Sequence, residues 1–317
     1  MLSSRGTAHK RTSLNIVGGG SKNVLLNKFT AEAIKRPVIA GPSEGTVIGN
    51  LLMQAIALGE IEDIWALRRV VEASFPTETC LPETDGKISA EQIEKYCADH
   101  YRDESFEHIV QPGMVYISHP TEYGTLYSLR ELEALSAVCN QYGMRLYADG
   151  ARLAYALGCP ENDVTLPDLA RLCDVFYIGG TKCGALLGEA VVIPKRGSIP
   201  HFFTIVKQHG ALLAKGRVLG IQFDALFTDD LYLTLGAPAV KKASRIKKAL
   251  TEKGYTLFFD APTNQIYVLL TDEQYAALGE RLIMSFWEKP DEYHTAVRLA
   301  TSWATTDGDV ERLVEIL

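Results

Sequence analysis

The chain has 317 residues, 47% hydrophobic and 22% charged, a composition that excludes wholesale disorder and allows two domains. Its 32 basic and 39 acidic residues leave a net charge of −7, which argues against a general nucleic-acid binder. No apolar run approaches the ~18 residues of a membrane span, and Met1 to Arg11, basic and Ser-rich without an apolar core, reads as a frayed end and not a secretory signal.

Strand and helix patterns alternate along the chain, the signature of an α/β fold. Leu14 to Val17 reads as a strand, followed by Gly18-Gly19-Gly20 and a helix from Ser21 to about Ile34. Pro37 to Ala40 reads as the next strand. A helix follows from about Glu44 to Leu58, with Val47, Leu51, Ala55 and Leu58 at helical spacing. Another runs from Ile64 to Ser74. Pro76, Pro82 and Asp85-Gly86 interrupt every periodic pattern, and a boundary is placed there. Beyond it, Ser89 with Gln92 and Ser128 with Glu131 form capping boxes that open helices to about His100 and Tyr142. Gly143 supplies the second helix's stop. Strands are predicted at Met114–Ser118, Arg145–Ala148, Asp174–Ile178 and Ala185–Ile193, with a short helix from Leu166. Helices dominate His201–Phe227 and Ala239–Lys253. Strands follow at Gln265–Leu270 and Ala296–Thr301, and Asp309–Leu317 closes the chain as a helix.

Six cysteines show neither a C-x-x-C pair nor zinc-ligand spacing, as expected of inert, reduced thiols in a cytoplasmic protein. His100, His108 and His119 lack metal spacing and read as surface or capping residues. Trp65, Trp287 and Trp303 read as core or interface.

Two strand ends carry chemistry. One is Leu146-Tyr147-Ala148-Asp149-Gly150-Ala151-Arg152; the other is Val175-Phe176-Tyr177-Ile178-Gly179-Gly180-Thr181-Lys182. Ligands of open α/β sheets sit at the carboxyl ends of strands. Lys182 falls between two apolar strands, where desolvation would free its amine as a nucleophile. A nucleophilic lysine with a strand-end aspartate suits pyridoxal phosphate. On spacing alone a second reading stands beside it, with Asp149 capping a helix and Lys182 lying on the surface.

Residues from about Asp85 to Leu317 resemble the threonine aldolase branch of the aromatic amino acid β-eliminating lyase family. The resemblance is carried by Met114–Ser118, Asp149-Gly150-Ala151-Arg152-Leu153, Tyr177–Lys182, Pro262-Thr263-Asn264-Gln265-Ile266 and Val297-Arg298-Leu299. It implies a fold-type-I pyridoxal-phosphate domain with a small C-terminal domain. It also implies a homo-oligomer, and retro-aldol cleavage of a β-hydroxy-α-amino acid to glycine and an aldehyde. Lys182 would be the Schiff-base lysine and Asp149 the partner of the pyridine nitrogen, with Thr181 beside the cofactor. Arg152 and Arg298 would hold the substrate carboxylate. Lys207, Lys215 and Arg217 fall in a region that supplies phosphate contacts, or form a solvated helix face.

That family also has an N-terminal third with a phosphate loop and a stacking histidine, and no histidine lies between Lys10 and His100. Residues from about Leu14 to Pro82 are instead similar to the C-terminal end of a rhamnulokinase-like FGGY sugar kinase. The similarity rests on Ile16–Asn23, Arg36–Pro42 and Gly49-Asn50-Leu51-Leu52. The resemblances together divide the chain into a tail (1–13), a sugar-kinase α/β fragment (14–83) and an incomplete lyase domain (84–317). The first aspartate is Asp63, so the kinase's catalytic base is missing. Gly18, Gly19, Gly20 and Ser21 form a candidate phosphate or nucleotide loop, since such a turn can open a helix onto a phosphate. The resemblances thus imply a lyase whose partner is a small-molecule amino acid substrate, with a non-catalytic fusion remnant or a nucleotide-binding fragment as alternatives.

Overall fold

The computed structural model describes residues 14–16, 27–28, 30–31, 38–40, 55–56, 62–63, 66, 78–80 and 85–317. The chain forms two compact units, Met1–Gly86 and Lys87–Leu317. In the first, β1 (Leu14–Ile16) runs parallel to β2 (Val38–Ala40), and β3 (Glu78–Cys80) pairs antiparallel with β2. Helical residues between β1 and β2 place Ala31 against Val38, both fully buried. This is the parallel-strand crossover that the alternation predicts. Gly18–Ser21 and Trp65 lie outside the described residues, as do most of the three helices predicted before Pro76.

The second unit is built on a four-stranded sheet in the order β4 (Met114–Ser118), β5 (Arg145–Asp149), β6 (Val175–Gly179), β7 (Glu189–Val192). The first three strands are parallel and β7 is antiparallel. Helices α1 (Ala90–Arg102), α2 (Leu129–Gln141), α3 (Leu153–Leu157) and α4 (Leu166–Leu172) accompany it. Alternation sorts the strand residues by face. Val115, Ile117, Leu146, Ala148, Phe176 and Ile178 are buried in one core with Ile93, Leu132, Leu135 and Leu169 of the helices. Both predicted capping boxes form. A third, Thr165 with Asp168, starts α4.

The predicted helical stretch from His201 to Phe227 divides into α5 (Phe202–Gln208) and α6 (Arg217–Phe227). Gly210, at φ +68°, lies between them. Then α7 spans Leu231–Glu252, eight residues earlier than its predicted start at Ala239. Pro238 suggests a boundary because it cannot donate to the preceding turn. The helix continues through it because packing fixes both sides: Gly236 lies against the Ala154 backbone of α3, and Ala239 is fully buried.

A second, antiparallel sheet follows, ordered β10 (Ser285–Glu288), β11 (His294–Ala300), β9 (Gln265–Thr271), β8 (Thr256–Phe259). Between β9 and β10 lies α8 (Asp272–Gly279), and α9 (Asp307–Ile316) ends the chain. Ala243, Ile246 and Leu250 of α7 share a core with Ile266, Val268, Leu270, Val297 and Val310. Helix α7 is thus common to both layers of the unit. Among the described residues no helix is long and apolar enough to cross a membrane.

Candidate active site

The end of β5 turns sharply into α3, and the turn has no room for a side chain. A Cβ on Gly150 would lie 2.0 Å from the Tyr177 carbonyl oxygen, and one on Gly179 would lie 2.4 Å from that of Ala151. The two glycines let β5 and β6 close on each other at their carboxyl ends. The Gly179 N–H donates to the Gly150 carbonyl across the gap (2.9 Å).

Asp149 ends β5 half-buried. Its Oδ1 accepts the Ala151 N–H at 2.9 Å, and its Oδ2 accepts the Tyr116 hydroxyl at 2.5 Å. The N-cap position of α3 is Arg152, which makes no side-chain capping bond, and Asp149 bonds the Ala151 N–H ahead of the helix and no N–H within it.

Lys182 sits in a single 3-10 turn, Thr181–Cys183, directly after β6. Its backbone carbonyl accepts the Tyr155 hydroxyl of α3. Glu189 of β7 clamps the turn, accepting the Gly180 N–H at 2.7 Å and the Thr181 hydroxyl at 3.2 Å. The Gln222 side chain of α6 accepts the N–H groups of Leu186 (2.6 Å) and Leu187 (3.3 Å), so α6 borders the loop that follows. The Lys182 side chain itself is exposed. The apolar enclosure expected from the flanking strands is absent, because β7 begins at Glu189, seven residues on, and the intervening chain loops outward. Thr181 is exposed as well. Lys207, Lys215 and Arg217 are exposed on α5 and at the start of α6.

The structure brings the two predicted arginines to one cluster. Arg152, with only 15% of its side chain exposed, pairs with Glu122 at 3.5 Å. The Glu122 carbonyl accepts from the Tyr267 hydroxyl and from Gln265 Nε2 (3.1 Å). Arg298 stands opposite Tyr267 in the β9–β11 register, donates to Gln265 Oε1 at 3.3 Å and lies 5.5 Å from the Trp287 ring centroid. Burial pushes the Tyr267 phenol upward, while both arginine charges pull it back. Glu122, Gln265, Tyr267 and Trp287 escaped the sequence reading as site residues. The signal for Gln265 and Tyr267 was their shared face on one strand, legible only once Arg298 is placed opposite.

Further expectations change for His100, His119 and Trp303. His100 and His119 are buried, not surface residues, because each lies under aromatic or helical neighbours that the sequence does not place. Trp303 is half exposed over Gly184, which removes the core half of its core-or-interface reading. Burial raises the thiols of Cys139, Cys159 and Cys173 to about 12 and that of Cys183 to about 11, so they are inert protonated groups. Among the described residues no cluster of His, Cys, Asp and Glu is arranged to hold a metal.

Residues 68–273 match the family model described as beta-eliminating lyase. Residues 3–58 match the C-terminal domain of the FGGY family of carbohydrate kinases. A low specificity L-threonine aldolase of Pseudomonas aeruginosa is 30% identical over 218 residues, covering 66% of this chain and 59% of that protein. A rhamnulokinase of Bacteroides thetaiotaomicron is 49% identical over 71 residues, 22% of this chain and 15% of that protein. The structure of Leishmania major threonine aldolase superposes with a TM-score of 0.70 at 41% identity, over 78% of this chain and 71% of that one. The chain therefore spans about 59% of the length of that curated aldolase and about 15% of that rhamnulokinase.

Proposed function

The chain belongs to the beta-eliminating lyase family, and from that premise we propose a pyridoxal-phosphate-dependent aldehyde lyase. Its substrate is a β-hydroxy-α-amino acid, cleaved to glycine and an aldehyde. The observation that carries this reading is the tie between two turns. Asp149 and Arg152 lie on the turn into α3, and Tyr155 of the same helix bonds the carbonyl of Lys182. The turns that bear Asp149, Arg152 and Lys182 are thereby tied together at the carboxyl ends of adjacent parallel strands, where α/β sheets bind ligands.

The donor set fits the cofactor chemically. Lys182 offers an exposed amine, and the Asp149 carboxylate keeps acceptor capacity beyond its bonds to Tyr116 and Ala151 even with Tyr177 beside it. When bound, pyridoxal phosphate supplies an electron sink for charge developing at the substrate Cα. Asp149 would hold a proton at the pyridine nitrogen. Lys182 would anchor the cofactor through its side-chain amine. Arg152 and Arg298 would fix the substrate carboxylate, a task suited to planar bidentate donors. Lys215 and Arg217 stand as candidate phosphate partners. The substrate is thereby oriented before any bond breaks, which lowers the entropic part of the barrier.

A second reading has its own support. The chain spans 59% of the curated aldolase it matches, and we infer that what is missing is the family's N-terminal third. On this reading the polypeptide is a fusion remnant whose front unit carries a sugar-kinase fragment without its catalytic base. The separating experiment is the visible spectrum of the purified chain with pyridoxal phosphate, beside Lys182→Ala. A visible band that needs Lys182, with aldehyde released from threonine, supports the lyase. A folded chain with no such band leaves the remnant.

A further inference from the structure

One face of the central sheet carries three tyrosines in a row across the parallel strands: Tyr116 on β4, Tyr147 on β5 and Tyr177 on β6. Tyr116 pairs with Tyr147 in the register, and their rings stack with centroids 5.0 Å apart and planes 11° from parallel. Tyr177 meets Tyr147 edge-on at 6.3 Å. The β5–β6 register pairs Ala148 with Phe176, so Tyr177 comes opposite Asp149.

The Tyr116 hydroxyl donates to Oδ2 of that carboxylate at 2.5 Å, and the Ala151 N–H donates to Oδ1 at 2.9 Å. The Tyr177 phenol stands beside the same carboxylate and is coupled to it electrostatically. Asp149 is thus flanked by a phenol from each neighbouring strand and tied to its own turn. Charge-assisted O–H···O⁻ bonds of this length are strong. Burial, and after it the carboxylate itself, pushes both phenols far above the ordinary tyrosine range, so they remain protonated donors at any physiological pH. Tyr116 lies two residues before Ser118, the register partner of Asp149. Its hydroxyl therefore arrives from the amino-terminal side of the strands and leaves the side toward the strand ends open.

We propose that Tyr116 and Tyr177 are positioning residues that hold the Asp149 carboxylate aimed beyond the strand ends. A free aspartate samples three χ1 wells; the Tyr116 bond on one side and the Tyr177 phenol on the other select one. The proposal rests on the reading of Asp149 as the partner of a cofactor nitrogen. It adds two residues from strands that contribute no group to the reacting atoms.

The test uses the full chain labelled with 3-fluorotyrosine. The fluorine resonances of Tyr116 and Tyr177 are assigned by their loss in Tyr116→Phe and Tyr177→Phe. Asp149→Asn is expected to move both, and to leave that of Tyr293, in the turn before β11, in place. Uptake of pyridoxal phosphate is then titrated by visible absorbance. The double Tyr→Phe variant is expected to bind roughly tenfold more weakly. Adding it to Asp149→Asn should cost nothing further, because the tyrosines act through that carboxylate. Resonances that ignore Asp149→Asn overturn the bracket, and so does an affinity loss that adds fully to that of Asp149→Asn. If the parent chain takes up no pyridoxal phosphate, the functional reading fails, and the fluorine shifts decide the bracket by themselves.

Discussion

His119 directly follows β4, and its backbone N–H donates to the Asp149 carbonyl at 2.9 Å. Its side chain is fully buried. Burial lowers the imidazole to about 4, against the opposing pull of Asn162, Asp163 and Glu131. The consequence for stability follows from linkage. Below pH 6.5 the unfolded chain binds a proton on this ring, whereas the folded chain does not until about pH 4. Stability contributed by the neutral ring is therefore complete above 6.5 and is lost as pH falls through that window. The loss amounts to about 2 kcal/mol by pH 5 and about 3 kcal/mol in all. Other acid-sensitive groups, such as Glu131, whose carboxyl is held down by Lys87 and Ser128, act in both backgrounds. Urea unfolding at pH 7.5 and pH 5 should show His119→Gln losing about 2 kcal/mol less than the parent. Equal losses in the two proteins would show that this ring titrates freely in the fold.

Among the elements, α7 sets how closely the two layers of the lyase unit approach. Gly236 is the contact point, since a Cβ there would lie 1.8 Å from the Ala154 carbonyl oxygen and 3.0 Å from the Tyr155 Cα. These are backbone atoms that cannot swing aside, and Tyr155 is the residue that holds the Lys182 carbonyl. Gly236→Ala should therefore cost about 2 kcal/mol or more through overpacking and loosen the turn that carries Lys182. Gly220, inside α6, has open space where a Cβ would stand, with nothing within 4 Å, so Gly220→Ala should stabilise by about 1 kcal/mol through helix propensity. Thermal melts of the pair test the contrast, and a Gly236→Ala protein as stable as its parent would refute the close crossing.

The same elements show what local pattern can and cannot reveal. Capping boxes at Ser89 and Ser128 and the alternation in β4, β5 and β6 are local, and the strand and helix positions they imply agree with the structure within a residue or two. The start of α7 was not legible. Pro238 speaks locally against a helix, whereas the contact that keeps the helix going comes from residue 154. Strands β8 and β10 are short and exist through their pairing with β9 and β11, so their own sequences carry little signal. Asp149, Lys182, Arg152 and Arg298 stood out by residue type and position. Glu122, whose carboxylate pairs with Arg152 and whose carbonyl accepts from Tyr267 and Gln265, did not, because its partners lie some 30 and 145 residues away in sequence.

At the scale of the whole lyase unit, the sheet is finished on one face only. Its inner residues pack against helices, while Met114, Tyr116 and Val191 on the other face are 57%, 51% and 56% exposed. Parallel sheets are ordinarily covered on both faces, because each face of such a sheet is apolar. A bare apolar face of this kind acts as an association surface. The chain is therefore expected to bind an apolar dye such as ANS and to self-associate reversibly as its concentration rises. Met114→Lys with Val191→Lys should suppress both effects. The two lysines should leave the melting temperature nearly unchanged, because side chains already facing water contribute little buried area. Sedimentation and dye titration of the two proteins measure this directly. A parent chain that stays monomeric near 100 µM and binds no dye would mean that this face is covered in solution.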